Sequence, residues 1–107
     1  MAQAKLSTTV TPNTKTLYIG ITAIHFIKTF NFNDPSDCAL AKAVREQLNV
    51  TGVLVDTYEV DFDSDGDTSV WRIVGRYQLS DYIADRKQAL LADNPQTVIR
   101  RIQLKRI

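Results

Sequence analysis

Apolar and polar positions recur with a period of two in some stretches of this chain and with a helical period in others. Leu17, Ile19 and Ile21 fall on alternate positions and read as a strand. Thr22 is placed to cap a short helix in which Ile24 and Ile27, and Phe26 and Phe30, stand at helical spacing. A strand continued through Ile27 is the competing reading. Asp34-Pro35-Ser36-Asp37 is a helix start, with Asp34 accepting from the free N–H groups of the first turn and Pro35 in the first helical position. That helix should run to about Leu48, burying Leu40, Ala41, Val44 and Leu48 and leaving Lys42, Arg45 and Glu46 in water. Asn49 and Gly52 then turn the chain.

Val53 to Phe62 and Ser69 to Leu79 read as two strands joined through Asp65-Gly66, the strongest short hairpin signal. A two-residue loop there sets Val60 opposite Trp71, Tyr58 opposite Ile73, Leu54 opposite Tyr77 and Glu59 opposite Arg72. The large apolar side chains then share one face, and a slip by one residue would lose that agreement. Ser80 caps a helix to about Ala92 that should bury Ile83, Leu90 and Leu91, with Asp93-Asn94-Pro95 as its stop. Thr97 to Ile107 closes the chain as a strand, with Val98, Ile102 and Leu104 inward and Arg101, Gln103 and Lys105 outward.

The order β-α-β-β-α-β predicts a single α+β domain over residues 16–107. It would be a ferredoxin-like sandwich, a four-stranded antiparallel sheet with helices on one face. Its other face would show Val53, Val55, Arg72, Val74 and Arg76. Residues 1–15, rich in Thr, Ser and Asn, read as an arm, flexible or pinned by a partner; the strand propensity of Leu6 to Thr11 suits addition to a sheet edge.

Composition adds limits. The chain of 107 residues is 44% hydrophobic and 23% charged, a globular balance sufficient for one core. No apolar run reaches the roughly 20 residues of a membrane span, and the first fifteen residues lack the apolar region of a signal peptide. Cys38 is the sole cysteine, so no disulfide forms within the chain, which suits a reducing compartment and makes the cytoplasm the expected location. Net charge is only +1, but it is segregated: residues 34–67 hold nine acids and two bases, and residues 72–107 hold eight bases and three acids. Such blocks either pair within the fold or leave two faces of opposite sign.

The candidate chemistry is sparse. Asp61, Asp63, Asp65 and Gly66 begin like a calcium loop, but Arg72 occupies the position of the bidentate glutamate and both flanks read as strands. A solvated hairpin tip is the expectation. His25 and Cys38 are the only soft ligands, too few for a structural zinc site. A helix N-terminus could activate the Cys38 thiol, whereas a buried cysteine would be inert. Gly20, Gly52, Gly66 and Gly75 are too scattered for a phosphate loop. The strand aromatics Tyr58, Trp71 and Tyr77 fall on the expected core face rather than on an open RNA-binding face. Arg100, Arg101, Lys105 and Arg106 could touch phosphates, although a basic strand more often pairs with acids or blunts an edge.

Thr22, His25-Phe26, a loop and then Asp37-Cys38-Ala39-Leu40-Ala41-Lys42-Ala43 resemble small accessory proteins of phage and prophage genomes. In those, a short helix containing His-Ile leads to a Cys-Pro-hydrophobic-Ala-x-Ala helix; here Phe26 replaces the isoleucine and Ala39 the proline. Tyr77-Gln78-Leu79-Ser80, before a helix and a last strand, is similar too, so the resemblance spans residues 16–107. It implies an origin in a mobile element and assigns no functional residue. The expected protein is therefore a non-enzymatic binding protein of phage origin, with neither cofactor nor metal, that docks onto a host protein such as a defence component. Arg72, Val74, Arg76, Arg101 and Lys105 are the expected partner-binding residues. The alternative is a self-assembling structural or nucleic-acid-associated phage protein.

Overall fold

The computed structural model describes residues 9–29, 34–64 and 66–107. Along the chain lie β1 (Thr16–Thr22), α1 (Ala23–Ile27), α2 (Ala39–Leu48), β2 (Thr51–Val55), β3 (Glu59–Ser64), β4 (Asp67–Ile73), α3 (Leu79–Leu91) and β5 (Val98–Arg106). The five strands form one sheet in the order β1-β5-β4-β3-β2, curled into a half-barrel, and every neighbouring pair is antiparallel. This corrects the expected four-stranded ferredoxin-like sandwich. In that plan the two strands flanking each helix are parallel with another strand between them, whereas here β4 and β5, which flank α3, are antiparallel neighbours and the sheet has a fifth strand.

The fifth strand arises at Asp56. Its Oδ1 accepts from the N–H groups of Tyr58 and Glu59, both at 2.7 Å, and its own N–H donates to the Glu59 carbonyl at 2.9 Å. An aspartate that satisfies the backbone ahead of it folds a tight turn. The stretch expected as one strand from Val53 to Phe62 thus becomes a hairpin. Leu54 pairs with Asp61 instead of Tyr77, and Leu54 and Tyr58 are exposed while Val53 is buried.

The register of the second hairpin is as the Asp65-Gly66 turn predicts. Glu59 faces Arg72, Val60 faces Trp71, and Ser64 faces Asp67. Gly66 has φ +84°.

Gly52 also needs its freedom. It sits beside the register shift of β2 at φ +64°, and a Cβ there would lie 2.5 Å from Asp63 Oδ2. Gly52→Ala is expected to cost about 2 kcal/mol in denaturant unfolding. Asp63→Ala in the same chain should recover only the part due to the clash, because the backbone strain remains.

The 34–37 segment is a turn and not the start of α2. Asp34 Oδ1 accepts from the Ser36 N–H at 2.9 Å and the Ser36 hydroxyl at 2.7 Å, and these bonds hold its pKa below the usual carboxylate value. Cys38 takes the cap position instead. Leu40, Ala41, Val44 and Leu48 of α2 are buried as expected. On the rim of the sheet, the Gln47 carboxamide mimics a neighbouring strand: its Oε1 accepts from the Gly20 N–H at 3.0 Å and its Nε2 donates to the Gly20 carbonyl at 2.6 Å.

All three helices pack on one face of the sheet, α1 and α2 against β1, α2 also against β2, and α3 against β5. Between the layers lie Ile19, Ile21, Phe26, Phe62, Trp71, Ile73 and Leu104. Of the expected arm, residues 9–15 lie against this body. Val10 is buried, and Arg106 donates to the carbonyls of Thr14 and Thr11 at 2.8 Å each. The expectation for Leu6 to Ser7 and Thr8, and that for Phe30, fall outside the described residues.

Candidate docking face

Among the described residues, the opposite face of the sheet carries no helix. Alternation along each strand decides which side chains reach it. Arg72 stands opposite both Lys105 and Glu59, so these three form one row across β5, β4 and β3. Arg101 and Gln103 lie on the same side of β5, paired with Gly20 and Tyr18 of β1. Asp61 and Asp63 extend the acidic side along β3, and Asp61 lies between Val70 and Leu54. The apolar members are well exposed, Tyr18 at 72% and Leu54 and Val74 at close to half.

Of the five expected binding residues, Arg72, Arg101 and Lys105 are therefore brought together. Val74 joins them: its N–H donates to the Gln103 carbonyl at 2.9 Å, which continues the ladder one residue past β4. Arg76 does not, because Gly75 at φ +82° turns the chain off the sheet before it. Val53 is in the core and not on this face. Glu59 was expected here, opposite Arg72, whereas Tyr18, Leu54, Asp61 and Asp63 were not. Period-two counting outward from Arg72 through the registers of the neighbouring strands would have found them.

The face is split by sign. Arg72, Arg101 and Lys105 stand on β4 and β5, and Glu59, Asp61 and Asp63 on β3. Among the described residues, ion pairs join Asp37 to Lys42 and Arg45, Glu46 to His25, and Asp85 to Arg100, so none uses the bases of the face. Two of the four bases that could have touched phosphates point the other way. Arg100 pairs with Asp85 beneath α3, and Arg106 lies over the Trp71 ring with 4.6 Å to its centroid.

The second region with chemical content is a cleft of about 180 Å³ bounded by the 34–38 turn, the Asp56 turn and the start of α3. Cys38, Tyr77 and Tyr82 line it. Burial pushes all three groups upward, and the Tyr77 phenol is raised further because it donates to Asp85 Oδ2 at 2.8 Å. Each therefore keeps its proton near neutrality. The helix terminus that could have activated Cys38 is outweighed by desolvation. The native thiol should react with iodoacetamide at least tenfold more slowly than the urea-unfolded chain, by mass spectrometry; equal rates would show an accessible thiolate.

His25 is a structural histidine. Its Nδ1 accepts from the Thr22 N–H at 2.9 Å, which closes the first turn of α1, and its Nε2 lies 3.5 Å from Glu46 Oε1. In the hairpin, Asp63 Oδ1 accepts from the Thr68 hydroxyl at 2.5 Å. Among the described residues, no three His, Cys, Asp or Glu side chains converge to hold a metal ion, and no helix is long and apolar enough to cross a membrane.

Comparison of the chain with protein-family models, with curated proteins and with solved structures found no match.

Proposed function

We propose that this is a non-enzymatic binding protein that docks a protein partner on the uncovered face of its sheet. The observation that carries the reading is the composition of that face: exposed apolar side chains interleaved with Arg72, Arg101 and Lys105, with no element among the described residues to cover them. Arginine beside apolar surface is the kind of anchor that protein interfaces favour, a planar donor on a stem that buries well. The acids of β3 argue for a protein over a nucleic acid, since a phosphate backbone laid across the face would meet Glu59, Asp61 and Asp63. The resemblance to phage accessory proteins makes the partner a host protein, and a defence component is the reading we favour.

One observation supports a second reading, self-assembly. A twofold copy placed face to face would set the acidic β3 of one molecule over the basic β5 of the other.

The test is capture from nuclease-treated host lysate, with light scattering of the free protein alongside. Arg101→Glu/Lys105→Glu should keep its fold and weaken association at least tenfold. A variant that captures the same partner with unchanged affinity would remove this face from consideration. Wild type that is dimeric where the variant is monomeric, with no partner captured, would favour self-assembly.

A further inference from the structure

Helix α3 is turned inside out. Its inward positions hold Tyr82, Asp85 and Ala89, while Leu79, Ile83, Leu90 and Leu91 are exposed at 52%, 45%, 58% and 83%. This overturns the expected burial of Ile83, Leu90 and Leu91, and its cause is local. Asp85 is committed inward by Arg100 and by the Tyr77 hydroxyl, and Tyr82 packs edge-on against Phe26 with ring centroids 5.2 Å apart. Once those residues set the rotation of the helix, the leucines must face water. That exposes apolar area which folding alone would hide.

The outward residues are ordered. Positions 79, 83, 86 and 90 are spaced by four, three and four, the seam along which one helix packs on another. Three of the four are apolar and the third is Arg86, with Lys87 beside it. A shallow groove lined by Tyr82, Ile83, Arg86, Lys87 and Leu90 follows this seam. Asp81 lies on the far side of the helix from this seam, its carboxylate accepting from the Gln78 N–H at 3.2 Å, so the charge on the stripe is that of Arg86 and Lys87.

We infer that this stripe is a second docking site, independent of the sheet face, for an amphipathic helix of a protein partner that carries acidic residues at its middle. Charge selects the occupant. A second copy of α3 would bring two Arg86-Lys87 pairs together, face to face in a parallel pair and within one turn in an antiparallel one, a like-charge contact in the centre of the interface. An anionic lipid surface is held by clusters of about four to eight bases, and this stripe offers only Arg86 and Lys87. A helix with leucines along one side and glutamates flanking the middle satisfies the apolar stripe and both basic side chains.

The probe is a display library of helical peptides about five turns long, with a fixed leucine stripe and with Glu, Lys or Gln at the flanking positions. Wild type should enrich Glu over Lys at the central flanks about tenfold. Arg86→Glu/Lys87→Glu should reverse that preference, and Ile83→Glu/Leu90→Glu should enrich nothing while melting at the wild-type temperature. Enrichment no greater than that of Ile83→Glu/Leu90→Glu would overturn the proposal, as would a preference untouched by charge reversal. So would wild-type dimerisation, or sedimentation with phosphatidylserine vesicles, that Ile83→Glu/Leu90→Glu abolishes. Binding to the sheet face does not enter any of these readouts.

Discussion

Trp71→Ala is expected to cost about 3–5 kcal/mol, the range for removing a large aromatic from a core. Trp71 is fully buried, its ring stacks on Phe62 with centroids 5.8 Å apart, and its indole N–H donates to the Ser69 hydroxyl at 2.8 Å. The loss should spread beyond the cavity. Arg106 lies over the same ring while holding the carbonyls of Thr11 and Thr14, so the indole is the platform on which the 9–15 segment is clamped. Urea unfolding should show the stability loss, and limited proteolysis should show early cleavage near Thr11 to Lys15 in the variant. Trp71→Phe keeps a ring under Arg106 and should lose less than half as much. A Trp71→Ala protein with the wild-type midpoint would mean that this end of the sheet is not packed as described.

Asp85→Ala is the second large effect, a loss of about 2–4 kcal/mol. The carboxylate is buried and takes both Arg100 and the Tyr77 hydroxyl; removing it strands a guanidinium and a phenol. The lower end of the range reflects Arg100, whose side chain is 35% exposed and can partly recover solvent. Because burial and the bond to Asp85 push Tyr77 upward, its phenol remains a donor across the neutral range, so the network should persist through that range. The triple change Asp85→Leu/Arg100→Met/Tyr77→Phe should recover much of the loss, since a buried ion pair is often replaceable by apolar groups of similar volume. Thermal unfolding of the single and triple variants decides this. A triple variant as unstable as Asp85→Ala would show that the polar geometry itself positions α3.

What could be read from the sequence divides along the range of the forces involved. Asp65-Gly66 and the alternation around it specify the pairing of Glu59 with Arg72, because a two-residue turn leaves one register. Arg72 and Lys105 were legible as outward for the same reason. Asp56 was not legible as a turn, because the apolar positions on either side of it suit one continuous strand as well as two. Arg76 was misplaced because period-two counting carries through Gly75 only if the backbone stays extended, and its positive φ breaks the count. The rotation of α3 was the least accessible. Helical periodicity alone assigns the leucines inward, and the partners that draw Asp85 to that side, Tyr77 and Arg100, both lie outside the helix.

The place of β5 in the sheet has a consequence for how the chain is made. Among the described residues, β1 finds its only strand partner in β5, with Ile19 set against Ile102. At a synthesis rate of roughly 5–20 residues per second, Ile19 waits about 4–17 s for that partner to be added. During that interval β2, β3 and β4 can zip together from the Asp65-Gly66 turn, while Leu17, Ile19 and Ile21 have only helices to shelter against. The meander is thus a unit that can form early. The closing of the sheet is a late event, gated by the ribosome rather than by the intrinsic speed of strand pairing.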